Sequence, residues 1–380
     1  MQGSEGRILT THVGSLPERA LAPRPGEDDE TLRRMLGDVV ARQRAVGIDV
    51  ANDGEYTKGG DWLSYIEGRL SGFSPNPKPA GAVLTGGKDR EVFADFYRYA
   101  AERGTLFYAS KGQTSKPRSY WVCTGPIAYA GEAAMRHEIE LFKAALPADG
   151  GATEYFLTTT APASLEPYYA EGYYRSTEEF LFALAEAMRR EYEMIVEAGF
   201  LVQVDDAWLA ALWDRIGIAM GLDAFRKYCF LRVDALNHAL RNIPEDRVRY
   251  HLCWGSWHGP HAYDIPLKDM VDVLLRVKAQ GYSIEGANAR HEHEYRLWET
   301  VKLPDHKVLI PGVVAHATDI VEHPELVSER IQRYARLVGR ERVIASSDCG
   351  FGERSHPQIA WAKLQALAEG ARLASKALFG

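Results

Sequence analysis

Nine short runs with the composition of β-strands, at 8–15, 49–55, 120–125, 155–160, 201–206, 248–254, 282–285, 307–314 and 342–348, alternate with helix-like stretches along this 380-residue chain. The helical stretches, at 31–46, 178–198, 225–242, 267–279, 325–338 and 358–378, carry apolar residues every three or four positions, as one buried face requires. Such alternation is the pattern of a parallel α/β fold, in which each strand is followed by a crossover helix. The expectation is an α/β TIM (β/α)8 barrel forming a single domain over 1–380, since barrels of this kind exceed the usual length of one domain. A barrel needs eight strands, so one of the nine runs is an extra strand or a loop.

The alternation breaks at 59–116. That segment holds the Gly- and Pro-rich run 72–79 and then an aromatic helical patch, Phe93-Ala94-Asp95-Phe96-Tyr97-Arg98-Tyr99. An insertion of this size after the second strand is expected to sit over the barrel top, where it is a lid, a dimer contact or a surface elaboration.

Composition narrows the function classes. Hydrophobic residues at 46% and charged residues at 26% are those of a globular chain. No apolar run approaches the ~18 residues of a membrane span, and the start, Met1-Gln2-Gly3-Ser4-Glu5-Gly6-Arg7, lacks the apolar stretch of a signal peptide, so a cytoplasmic protein without a membrane partner is expected. The net charge of −7 argues against a nucleic-acid partner, because phosphate binding needs a clustered positive surface. Four cysteines without close pairs make no disulfide framework and are available as ligands.

Barrel enzymes assemble their chemistry at the C-terminal ends of several strands. Polar groups stand at nearly every such end here: His12, Gly14 and Ser15; Asp53 and Glu55; Thr124 and Gly125; Asp205 and Asp206; His251 and Cys253; Glu285; Asp348 and Cys349. In the run Val248-Arg249-Tyr250-His251-Leu252-Cys253-Trp254-Gly255, His251 and Cys253 are two residues apart, so a strand turns both to one face. Imidazole nitrogen, thiolate and carboxylate are the ligands zinc takes in proteins, and Glu285 and Cys349 close two further strands. The four residues thus form a candidate zinc set from three separate strands, unlike the closely spaced cysteines of structural zinc sites.

With two thiolates, a carboxylate and a neutral imidazole, the zinc site carries net negative charge and is a poor Lewis acid. It still deprotonates a bound thiol and leaves it nucleophilic. Glu285, the hardest ligand, is the one expected to give way to an incoming thiol. The reaction class is S-alkylation of a small thiol, with an acid protonating the leaving atom.

The segments His12-Val13-Gly14-Ser15-Leu16-Pro17, Gly54-Glu55, Thr124-Gly125-Pro126, Gln203-Val204-Asp205, His251-Leu252-Cys253, Ser283-Ile284-Glu285 and Asp348-Cys349-Gly350 occur in this order. Together they resemble the signature of the catalytic domain of cobalamin-independent methionine synthase, over nearly the whole chain. The resemblance implies a TIM barrel, zinc on His251, Cys253, Glu285 and Cys349, and methylation of homocysteine in methionine biosynthesis. It places Ser15, Glu55 and Asp205 at the amino-acid site, with the two carboxylates on the substrate ammonium. The likeness is to single-barrel short forms, which include epoxyalkane:coenzyme M transferases, so ring opening by a zinc-bound thiolate is the alternative reaction. Two carboxylates favour an amino-acid thiol over a sulfonated one.

Some positions depart from the family. Asp205-Asp206-Ala207 stands where the family has Asp-Glu-Pro, and no tryptophan soon follows Thr124-Gly125-Pro126 to stack on a pterin. His316, after Pro311-Gly312-Val313-Val314-Ala315, falls one position early for the family's catalytic histidine and is the expected proton donor, with His258, His291 and His293 as alternatives. Arg290 is placed to meet an anionic substrate end.

Overall fold

Strands buried on both faces need helices on their outer side, and the chain supplies one after almost every strand. The computed structural model describes residues 1–59, 62–77, 86–106, 119–148 and 152–380. Among these the strands are β1 (Leu9–Thr10), β2 (Val50–Asn52), β3 (Leu70–Pro75), β4 (Trp121–Tyr129), β5 (Glu154–Thr160), β6 (Tyr169–Ala170), β7 (Leu201–Asp206), β8 (Val248–Leu252), β9 (Gly281–Ile284), β10 (Val308–Val314) and β11 (Ile344–Ser347). Eight of them form one sheet, in the order β1-β11-β10-β9-β8-β7-β5-β2, with every neighbouring pair parallel. The two ends of the sheet meet. Asp49 donates its N–H to the Thr10 carbonyl at 3.1 Å, and the Thr11 hydroxyl donates to the Val50 carbonyl at 2.8 Å, so the sheet is a nearly closed TIM barrel.

The surplus ninth run is 120–125. Its strand β4 pairs antiparallel with β3 and parallel with β6 in a separate three-stranded sheet. Thr124 and Gly125 therefore do not belong to the barrel rim, and the Thr124 hydroxyl instead meets that of Ser74 at 3.1 Å. A short apolar run carries no mark of which sheet it joins. Its partner β3 lies in the 59–116 segment, where no barrel strand was expected.

Period-two alternation fills the barrel. Val50, Phe156 and Leu201 form one interior apolar cluster and Leu9, Val308, Ile310 and Ile344 another, both touched by Met1. One level further along the strands lies Arg249, fully buried, its guanidinium 3.8 Å from the centre of the Phe156 ring and donating to Thr11 Oγ1 and the His12 carbonyl. Burial lowers its pKa to about 9. His251 and then Cys253 follow Arg249 on the same face. The outward residues of these strands, Val202, Val204, Val248, Tyr250 and Leu252, join the larger core against the helices.

Four of the longer helices begin at a side chain that satisfies an open N–H group. Asp28 accepts from Thr31 N ahead of the helix Asp29–Ala45, and Ser176 accepts from Glu179 N ahead of Thr177–Glu197. His323 and His356 play the same part, each followed by a proline in the first turn. Among the described residues no helix is long and apolar enough to cross a membrane.

Of the 59–116 segment, residues 60–61, 78–85 and 107–116 lie outside the described residues. Its helices Lys88–Val92 and Ala94–Arg103 contact the loops that follow β7 and β8. The Tyr97 hydroxyl donates to Asp89 at 2.5 Å and accepts from Trp257 Nε1 at 3.0 Å; Asp89 N donates to Asp214 Oδ1 at 2.8 Å and Asp89 Oδ1 accepts from Ala262 N at 3.0 Å.

Candidate metal centre and substrate pocket

Register brings the rim residues level with one another. Asp205 of β7 is opposite His251 of β8, and His251 is opposite Ser283 of β9. Cys253 continues the β8 ladder through its N–H to the Asp206 carbonyl at 3.2 Å, and Asp348 continues β11 through its N–H to Val314 at 3.0 Å. The continuations carry two cysteines inward, and one ligand atom from each of His251, Cys253 and Cys349 falls within 4.8 Å of the others.

The donor chemistry of this trio suits a thiophilic metal ion. His251 is 2% exposed; its Nδ1 lies 3.2 Å from the Ser283 hydroxyl, while its Nε2 is buried without a hydrogen-bond partner. An orphaned ring nitrogen in a dry place is costly unless something binds it. The sulfurs of Cys253 and Cys349 are 3.9 Å apart and share charge: the hydrogen bond from Cys253 holds the Cys349 thiol well below its ordinary range and pushes Cys253 up. One proton between two sulfurs leaves a thiolate ready for a cation.

Glu285 stands beside the trio and outside it. Its Oε1 accepts from Trp254 N at 3.0 Å and its Oε2 from Asn288 Nδ2 at 2.7 Å, which anchors the carboxylate to the loops after β8 and β9. Burial raises its pKa to about 8. Asn288 also donates to Asp348 Oδ2 at 3.0 Å, and Asp348 Oδ1 accepts from Gly286 N and Ala287 N, both at 2.8 Å. A methyl group on Gly312 would fall 2.0 Å from Asp348 Oδ1, so the Pro311-Gly312 step keeps room for this carboxylate behind Cys349.

The residues expected at the amino-acid head lie across the barrel mouth. The Ser15 hydroxyl accepts from Gly352 N at 3.2 Å. Glu55 accepts from the Thr158 hydroxyl at 3.1 Å and is ion-paired with Arg19. Burial raises the Glu55 pKa, and burial likewise lifts Asp205 to about 7, against the pull of His251. Gly14, at φ 147°, lets the chain pass Glu55 so closely that an added Cβ would lie 2.9 Å from Oε1. His12 sets that turn: its Nδ1 accepts from Gly14 N at 3.2 Å and its Nε2 lies 2.8 Å from Gln43 Oε1, so it is a supporting group.

His316 is 2% exposed, neither ring nitrogen has a hydrogen-bond partner, and burial lowers its pKa to about 4 even though the nearby Cys349 raises it. Among the alternatives, His291 is held between Asp264 (3.2 Å) and Glu294 (2.8 Å), which overcome the lowering effect of burial and raise it to about 10. That locks it as a bridge between the β8 and β9 loops. His258 keeps a buried, unpartnered Nε2, and burial lowers its pKa. Arg290 donates to the Ala262 carbonyl at 2.8 Å.

Residues 169–372 match the model of the catalytic domain of the cobalamin-independent synthases. The chain belongs to the cobalamin-independent synthase family. The part matched to this family's domain holds Asp205, His251, Cys253, Glu285, His316 and Cys349, while Ser15 and Glu55 precede it. Among relatives, a methionine synthase of Saccharolobus solfataricus is 23% identical over 98% of this chain and 96% of its own length. A methionine synthase of Thermococcus kodakarensis is 24% identical over 58% of this chain, and the match spans 57% of that protein. The structure of a B12-independent methionine synthase from Shewanella, solved with selenomethionine, superposes with a TM-score of 0.70 at 18% identity, covering 98% of this chain and 99% of that one, which places both on the same fold.

Three residues around these groups were not singled out from sequence: Arg19, Asn288 and Asp264, the last holding His291. None lies at a strand end or at ligand spacing. Arg19 sits four residues past Ser15 in a segment without periodicity, and only the fold brings it to Glu55.

Proposed function

We propose that this chain is a zinc-dependent methyltransferase that methylates the thiol of homocysteine to form methionine. The observation that carries the reading is the trio of the His251 imidazole and the two cysteine sulfurs at the mouth of a barrel of the cobalamin-independent synthase family, one ligand atom from each lying within 4.8 Å of the others. Relatives named methionine synthase support the substrate.

Zinc would be held by His251, Cys253 and Cys349, with Glu285 as the fourth, exchangeable ligand; when bound it supplies a substrate thiolate at neutral pH. The protein's own groups do the rest. Glu55 and Asp205 receive the substrate ammonium and Ser15 lines the head of the pocket. Trp254 N and Asn288 hold Glu285 beside the trio, where it would give way to the incoming thiol. His316, kept neutral by burial, takes up the proton that the homocysteine thiol gives up, Cys349 beside it raising its basicity, and passes that proton to the atom that leaves the methyl group.

Zinc K-edge spectroscopy of the purified protein with and without homocysteine tests this reading. The expected result is about one zinc per chain and one additional sulfur neighbour on addition of the thiol. A metal shell that homocysteine leaves unchanged overturns it.

A further inference from the structure

Arg19 is 4% exposed and is held by two carboxylates from opposite sides. Its Nε lies 3.1 Å from both oxygens of Glu353, and its Nη2 is 2.5 Å from Glu353 Oε2. Its remaining arm, Nη1, is paired with Glu55. Glu55 and Glu353 are both non-glycine residues in the left-handed region, at φ 62° and 54°. Backbone of that kind persists where surrounding structure enforces it, and it clusters at functional sites. Arg19 also borders the head pocket: a Cβ built on Gly352 would lie 2.7 Å from Arg19 Nε and 3.0 Å from Ser15 Cβ. Other charged groups near Glu55 are Lys58, which donates to the Thr158 carbonyl at 2.5 Å, and Asp53, which accepts from Thr57 and Glu55 N.

On the homocysteine reading, a buried ion pair, Arg19 with Glu55, thus stands where the substrate head must go. Parting a buried pair is costly when either partner is left unmatched. A zwitterion matches both. Its ammonium takes Glu55, its carboxylate takes the Nη1 arm of Arg19, and the net charge of the pocket is unchanged. A head that is only cationic leaves the Nη1 arm of Arg19 without its carboxylate and only Glu353 on the guanidinium, and one that is only anionic takes Arg19 away from Glu55.

We propose that Arg19 is a specificity-determining residue that binds the α-carboxylate of an amino-acid thiol, with Glu353 holding the guanidinium in place. The inference rests on the homocysteine reading and adds the group that discriminates among thiols. Calorimetry on zinc-loaded protein tests it with homocysteine, its decarboxylated analogue aminopropanethiol and its deaminated analogue sulfanylbutanoate. Wild type is expected to bind homocysteine ~10-fold or more tighter than either analogue, the scale of one charge-assisted contact. In Arg19→Gln the preference for homocysteine over aminopropanethiol should collapse toward one, because the carboxylate has lost its receptor. Arg19→Lys keeps the charge without the fork and should fall between; it carries the test if Arg19→Gln does not fold. A preference that survives in a folded Arg19 variant overturns the role of Arg19 while leaving the methyltransferase reading in place. Tightest binding of sulfanylbutanoate by wild type also overturns it, and a wild-type protein that binds none of the three thiols overturns both.

Discussion

The sulfurs of Cys253 and Cys349 lie 3.9 Å apart although 96 residues separate them in the chain. Their proximity follows from register: Cys253 extends β8 by a ladder bond to β7, Cys349 follows Asp348, which extends β11 by a ladder bond to β10, and both sulfurs reach the same mouth.

Cys253→Ser and Cys349→Ser should each lose most bound zinc, because a hard hydroxyl replaces a thiolate. Glu285→Gln should retain more metal than either, since its carboxylate is anchored by Trp254 and Asn288 outside the trio. Metal analysis after gel filtration checks the order; stoichiometric zinc in Cys349→Ser would contradict the assignment.

Asp205→Asn should weaken homocysteine binding by ~1 to 3 kcal/mol through loss of one charge-assisted contact, with zinc content unchanged. Calorimetry that finds equal affinity would remove Asp205 from the head site.

His316→Asn should slow turnover ~10²-fold or more, the usual contribution of a general acid, while metal and thiol binding survive. If saturated turnover stays within about twofold of wild type, His316 is not the acid, and His258 with its unpartnered Nε2 becomes the next residue to substitute.

His12 predicts a pH dependence of stability. Burial lowers its pKa from 6.5 to about 4, and its Nδ1 is occupied as the acceptor for Gly14 N. The unfolded chain therefore takes up the proton first. Above pH 6.5 this residue contributes no slope; as pH falls from 6.5 to about 4 folding should lose about 3 kcal/mol, levelling off below. Urea titrations at a series of pH values should show His12→Asn with a shallower acid limb than wild type, and identical limbs would refute the assignment.

Local sequence was sufficient for the alternation of strand and helix, and so for a parallel barrel, because periodicity depends only on neighbours along the chain. It was also sufficient to nominate His251 and Cys253, since two residues apart on a strand share a face, and Cys349 and Asp205 as strand-end groups. Three things needed the tertiary structure. The run 120–125 looks like any barrel strand, and only its partner β3 in the 59–116 segment draws it into another sheet. Glu285 has the right chemistry at the right strand end, yet where its carboxylate points is decided by Trp254 N and Asn288 on two loops. Arg19 reaches Glu55 and Glu353 only when β2 and β11 stand on either side of β1 at the barrel mouth. Periodicity and ligand spacing are short-range properties of the chain, whereas the choice of sheet partner, the aim of a buried carboxylate and the pairing of charges are settled by groups that packing brings together from distant positions.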